Sequence, residues 1–299
     1  MNAKNIILSV FCLLVVSNRA AAQLNILNAK TPEEIGLKTE DQLAYDNDQP
    51  LPYGFIDNRD VLWSKTTWEI IDLDERINFP LYYPIDTNSI GIERRSLYDV
   101  LIKNIKNKNI EQVYEDSYFT ARRTLKDLEA ALVYIDTLDL GIEQLMAGEE
   151  IDPQFIIKES LDAGDIEEWR IRGYWFLDKR SGELKYRLLG IAPVAYEARF
   201  KARPSEDKDL VELFWVWYPS AREVLHKANA FNRKNTSRPI SFDHLLNSRR
   251  FNSIIYREDN DLGDRTINDY INDNALMQLL ESDRIKEVIR NIEIDMWNY

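Results

Sequence analysis

Two histidines, His226 and His244, are the residues best suited to metal binding or proton transfer in this sequence. A zinc site needs three or four nitrogen, sulfur or carboxylate ligands, and no H-E-x-x-H spacing sets two histidines on one helix face. The single cysteine, Cys12, lies in an N-terminal leader, so the mature chain has no disulfide, thiolate ligand or cysteine nucleophile. Each histidine reads as a surface or half-buried side chain. No G-x-S-x-G nucleophile elbow, P-loop or G-x-G-x-x-G turn occurs. The Asp259-Asn260-Asp261-Leu262-Gly263-Asp264 cluster resembles a calcium loop only superficially. Its glycine stands at the wrong offset and no glutamate closes it at the twelfth position, which leaves a solvated turn.

Paired carboxylates could hydrolyse a glycosidic bond. With 51 acids in the chain, a pair at suitable separation arises by number alone. Asp72, Asp74 and Glu75 stand beside aromatics but read as solvating the end of a strand. Phe214, Trp215 and Trp217 suit core packing first, and a protein interface or sugar platform after that. Arg170, Arg172, Lys185 and Arg187 belong to one hairpin. They could dock an acidic partner, or form a polar sheet face neutralised by local acids. No catalytic, cofactor-binding or metal-ligating residue is assigned, and no cofactor is expected.

The leader has the order of an export signal. Lys4 is a thin positive start, Ile6 to Val16 an apolar run, and Ala20-Ala21-Ala22 a small-residue cleavage site, so maturation at Gln23 is expected. The run is shorter than the ~20 residues a membrane span requires. A lipoprotein would need cysteine where Gln23 stands. An exported, unlipidated periplasmic protein is therefore expected, with no membrane span of its own. The formal charge is −13, and loss of Lys4 and Arg19 with the signal takes it to −15. Nucleic acid is an unsuitable partner for such a surface.

These residues must be positioned by a fold, and the patterning predicts an α+β one. The sheet is mixed or mostly antiparallel, several helices pack with it, and an extended N-terminal arm precedes it. Residues 23–60, with Pro32, Pro50 and Pro52 and no sustained apolar period, read as that arm, either disordered or ordered on a neighbouring surface. Folded material is expected over 61–299, and a change of pattern near Asp165 is where a subdivision would fall. Val61 to Leu73 reads as strand. Asn78 to Pro84 carries two prolines that bar a central strand or helix interior. Ser96 opens a helix with Leu97, Val100, Leu101 and Ile105 on one face. Val113 to Thr120 reads as a short strand, and Thr124 opens a second helix with a Leu125, Leu128, Leu132, Ile135 stripe. Trp169–Leu177 and Glu183–Ile191 form a hairpin around a loop ending at Gly182. Leu210 to Tyr218 reads as one buried strand stopped by Pro219. Ser220 and Glu223 then cap a helix whose buried side is Val224, Leu225, Ala228 and Phe231. Phe242–Ser248 is a short helix, Phe251–Tyr256 a strand, and Thr266–Trp297 is helical in pattern.

Several strings resemble the GldN (PorN) family, the ring subunits of the type IX secretion and gliding-motility machinery. They are Val61-Leu62-Trp63-Ser64-Lys65, Trp68 to Leu73, Asn78 to Pro84, and Ser96 to Leu101. The hairpin from Tyr174 to Pro193 follows, and then Phe214 to Pro219 with Ala221-Arg222, and Phe242-Asp243. The likeness runs from about Val61 to the C-terminus and brings no catalytic residue with it. It implies a non-catalytic periplasmic subunit on the inner face of the outer membrane. That subunit would assemble with the lipoprotein GldK (PorK) and with copies of itself in a ring. It would also contact the periplasmic part of GldM (PorM), the inner-membrane-anchored shaft. The rival classes are a periplasmic carboxylate-dependent glycan hydrolase and an aromatic-rich binding module.

Overall fold

Tryptophans and β-branched residues alternating with polar ones carry strand β1 over Val61–Asp72. The computed structural model describes residues 31, 48–86, 95–148, 150, 152–203, 208–233, 240–261, 263–272 and 274–297. The signal expected at 1–22 and the arm from Gln23 to Asn47, Thr31 aside, lie outside the described residues. The folded unit begins at Pro50, earlier than the Val61 expected from pattern. Residues 50–60 are ordered on the domain itself: Arg187 and Arg180 donate to the carbonyls of Gly54 and Phe55 at 3.0 and 3.1 Å.

A single helical turn, α1, spans Phe79–Tyr82, with Pro80 in its first turn where the missing N–H costs nothing. Helix α2, Leu97–Lys106, starts where expected, with Ser96 Oγ accepting from Asp99 N, and it buries Leu97, Tyr98, Val100, Leu101 and Ile105. Strand β2 is only Val113–Tyr114, shorter than expected. The Asp116 carboxylate gathers the N–H groups of Tyr118, Thr120 and Ala121 and turns the chain away. Helix α3, Leu125–Leu132, has a full capping box from Thr124 and Asp127. Ile135 does not continue its stripe. It lies in strand β3, Val133–Thr137, which pairs with β4, Ile156–Ser160, around helix α4, Asp139–Met146.

The hairpin is longer than its pattern suggested: β5 is Ile166–Asp178 and β6 is Glu183–Tyr196, with Gly182 at φ +65° closing the turn. A short α5, Arg199–Ala202, follows. The apolar run from Leu210 is two strands and not one, β7 (Leu210–Glu212) and β8 (Trp215–Trp217). The break falls opposite Pro193 of β6. Its carbonyl accepts from Leu213 N at 3.0 Å, but proline has no N–H to return. Helix α6, Tyr218–Lys227, begins before Ser220, whose hydroxyl donates to the Trp217 carbonyl rather than capping the helix. Because α6 ends at Lys227, Phe231 falls beyond it and is 40% exposed. The two-residue strands β9 (Asn229–Ala230) and β10 (Ile240–Ser241) pair beside helix α7, Phe242–Asn247. Strand β11, Ile254–Glu258, starts three residues later than expected. The C-terminal helical pattern divides into α8, Ile267–Tyr270, and α9, Ala275–Trp297.

The main sheet runs β11-β1-β5-β6-β8-β2, with β7 also on β6, and every pairing is antiparallel. The fold is α+β. Asp165 sits one residue before β5, and strands from both sides of it share the sheet. Helices α2, α6 and α7 pack their apolar sides on Ile71, Trp169, Ile171, Leu188 and Ile191 to form the principal core. Each such fully buried aliphatic side chain contributes roughly 1.5–3 kcal/mol. A smaller cluster joins α9, through Ile285 and Ile289, to Ile255 of β11 and to the partly buried Trp63, Trp175 and Leu184.

Candidate interaction surface

Alternate residues of β1 address opposite faces of the sheet. On the helix-covered face stands Glu69, with no exposed surface. Arg249 donates to both its oxygens, at 3.2 and 2.6 Å, Thr67 Oγ1 donates at 3.1 Å, and Ser253 Oγ completes the set. The guanidinium lies over the rings of Tyr186, Trp175 and Phe251, with 4.3 Å to the first. Burial alone would raise the Glu69 pKa. The Arg249 charge and the donated bonds outweigh it and hold the carboxyl below its usual value. A carboxylate so fully occupied has no lone pair free for acid–base work.

A second buried network joins α6 to α7. Arg222 donates to Asp243 through Nε at 2.9 Å and Nη2 at 3.1 Å, Tyr218 Oη donates at 2.9 Å, and Asn247 Nδ2 at 2.8 Å. Tyr53, from the segment before β1, donates to Asn247 Oδ1 at 2.7 Å, and its ring lies 4.1 Å from the Arg222 guanidinium carbon. Burial raises the Tyr53 pKa to about 12, keeping the phenol a donor. Tyr218 and Arg222 on one turn of α6, Asp243 on α7 and the distant Tyr53 thus meet at one structural node.

The opposite face differs. Trp68 pairs in register with Arg172 of β5 and Arg257 of β11. Both guanidiniums lie on its fully buried indole, at 5.0 and 4.0 Å, and both also approach Tyr118, at 5.2 and 5.4 Å. Arg172 Nη1 donates to the Ser117 carbonyl and Arg257 Nη2 to the Ser117 hydroxyl, at 2.8 and 2.9 Å. The Nε of each arginine has no hydrogen-bond partner, and among the described residues no carboxylate stands within ion-pair distance of either. Burial lowers the Arg172 pKa. The turn at 116–121 completes this face. Phe119, at φ +62°, packs edge-on to Trp217 and lies so close to Gly190 that a Cβ there would meet its ring at 2.5 Å. Tyr118 is 45% exposed. Asp259 and Asp264 act on Arg172 through space without pairing with it. Half-buried arginines among aromatic rings, with no direct ion pair, have the composition of a protein-contact hot spot.

The residues singled out by type fall into place around these sites. Of the hairpin cations, Arg170 is neutralised by Glu168 and Glu212, and Lys185 by Asp178, as the polar-face reading expected, whereas Arg172 is not. Trp215 and Phe214 are wholly buried and Trp215 Nε1 donates to Glu212, so core packing is their role. Asp72 caps a turn by accepting from Asp74 N and stands opposite Glu168 in the β1–β5 register, and Glu75 holds the Asn252 amide. His226 is half-buried and His244 exposed. Among the described residues no group of three or more His, Cys, Asp or Glu side chains could hold a metal ion. The Asp259–Asp264 segment is a turn, with Asn260 and Asp264 exchanging side-chain and backbone hydrogen bonds. Arg257, Arg249 and Tyr53 carried no signal in the sequence, because the partner that defines each site (Ser117, Glu69 and Asn247) lies more than a hundred residues away.

Residues 56–298 match the family of gliding motility associated protein GldN. The chain belongs to the GldN family. No curated protein sequence matches it. GldN-family membership marks the chain as a component of the gliding-motility and type IX secretion machinery, and the family is known as a structural one. The match starts at Ile56, three residues after Tyr53, and takes in the Glu69–Arg249 network, the arginine face and all of the Arg222–Asp243 network but Tyr53. Among the described residues no helix is long and apolar enough to cross a membrane.

Proposed function

We propose that this GldN-family chain is a non-catalytic ring or scaffold subunit in the periplasm. In this reading it attaches to the inner face of the outer membrane through the lipoprotein GldK (PorK), contacts the periplasmic part of GldM (PorM), and stands beside copies of itself. The observation that carries the reading is the division of labour between the two sheet faces. The buried acids Glu69 and Asp243 are consumed by internal donors. The guanidiniums without a direct ion pair, Arg172 and Arg257, gather with the exposed Tyr118 on the other face. Such an arrangement serves contact with an acidic partner surface and offers no group poised for bond-making.

The test is capture of the chain by the co-expressed lipoprotein. The wild type should co-purify as a large particle, and R172A/R257A should lose most of that capture while melting within a few degrees of wild type. Undiminished capture would remove the arginine face from the interface. Failure of the wild type to co-purify would overturn the scaffold reading.

A further inference from the structure

The excursion formed by β3, α4 and β4 has almost no interior. Among its described residues, 133–160 with 149 and 151 left aside, Gly141 alone is buried. Yet it carries large apolar side chains in the open: Ile135 62%, Leu140 57%, Leu145 61% and Met146 83% exposed. A two-stranded sheet with one short helix and no core is marginal in water. Along α4, Leu138, Ile142, Leu145 and Met146 make an apolar stripe, and Asp139 and Glu143 an acidic stripe beside it.

Elsewhere on the same chain lies a surface of complementary character. A groove of about 860 Å³ runs between α2 and α6. Half-buried Ile102, Val224 and Ala228 supply apolar wall, and Lys103, Lys106 and Lys227 line it with positive charge that Asp99 and Glu223, the latter 3.8 Å from Lys227, offset only in part. This local excess of cations stands out in a protein of net charge −13. An eight-residue helix is about 12 Å long, a length such a groove can accept.

We infer that α4 of one copy docks in the α2–α6 groove of the next, its apolar stripe on Ile102, Val224 and Ala228 and its acids against the lysines. The occupant is a second copy of this chain, because the groove and the lobe match in charge and, among the described residues, nothing covers either on its own protomer. Two different patches meet, so the contact is heterologous and propagates. The inference rests on the scaffold reading above and gives that reading its side-by-side contact.

Two charge reversals at exposed or groove-lining positions test it in the mature full-length chain. D139K/E143K alters the lobe, and K103E/K106E alters the groove. Light scattering over a concentration series should show the wild type forming multi-copy species and each variant weakened about a hundred-fold, with unchanged circular dichroism. An equimolar mixture of the two variants should recover multi-copy species, since every lobe then meets a groove of opposite charge on the other variant. A chain carrying all four reversals should regain association. A wild type monomeric at its highest soluble concentration, or reversals that associate like wild type, would overturn the inference. Capture by the lipoprotein, measured on the same samples, reports separately on the scaffold reading.

Discussion

Arg249 grips Glu69 through two donated hydrogen bonds where only 1% of the carboxylate side chain's surface remains exposed. Strand β1 meets the segment before β11 through this pair, 180 residues apart in sequence. Removing one member leaves the other charged in a dry site. R249L should lower stability by about 3–5 kcal/mol, read from urea or thermal unfolding. E69Q/R249L, which removes both charges, should recover part of that loss, and no recovery would mean that packing of the guanidinium on its three rings dominates.

The same pair sets a pH dependence. The folded-state pKa of Glu69 lies below its unfolded value. Its stabilisation is therefore complete above the unfolded carboxylate value of about 4.3 and is lost as pH falls through the lower folded value. Unfolding curves from pH 6 downward should be steeper for wild type than for E69Q. Parallel curves would place the acid sensitivity on other carboxylates.

Tyr53 pins the entry segment to the α6–α7 node, while Arg222 neutralises Asp243 inside it. Y53F removes one hydrogen bond and should cost about 1 kcal/mol. Y53A should in addition expose residues 50–57 to protease with little change in melting temperature. R222L strands Asp243 and should cost about 3 kcal/mol. Equal effects of Y53A and R222L on global unfolding would contradict this hierarchy.

Gly173 faces the Tyr186 ring so closely that a Cβ would fall 2.2 Å from its atoms. G173A should destabilise by about 1–3 kcal/mol through overpacking. In a Y186L background the same change should cost distinctly less, and a double-mutant cycle measures the difference. Additive losses would show that the backbone, not the ring, resists the methyl group.

Asp116 ties the turn that carries Ser117, Tyr118 and Phe119 to the arginine face, accepting from Tyr118 N at 2.7 Å and Thr120 Oγ1 at 2.6 Å. D116A should cost about 1–2 kcal/mol, as loss of a capping side chain does. Amide exchange at 117–121 should quicken while β5 and β6 stay protected. Slow exchange in the variant would mean that Phe119 packing alone fixes the turn.

Local chemistry was legible wherever partners are close in sequence. Ser96 and Thr124 opened their helices as read, and Gly182 closed the hairpin. Apolar periodicity located α2, and the mixed character of the fold followed from alternating patterns. What escaped was set by partners far along the chain. The split of Leu210–Tyr218 depends on a proline in another strand, and Ile135 leaves its helix because β4 offers a ladder. The early end of β2 hangs on a single aspartate. The arginine face was half visible: Arg172 stood out in the hairpin, whereas Arg257 joins it only after β11 pairs with β1.

The β5–β6 hairpin, thirteen and fourteen residues long, is the spine on which these features sit. At about 3.3 Å per residue each strand reaches roughly 43 Å, much of the breadth of such a domain. Tension applied lengthwise is shared by all its rungs together, whereas tension applied sideways parts them one after another. Arg172 lies mid-way along this beam and the Asp178–Gly182 turn at its tip. A neighbour gripping one and a neighbour gripping the other would load the subunit along its stiff axis, the direction in which a component of a motile machine can bear strain without unravelling.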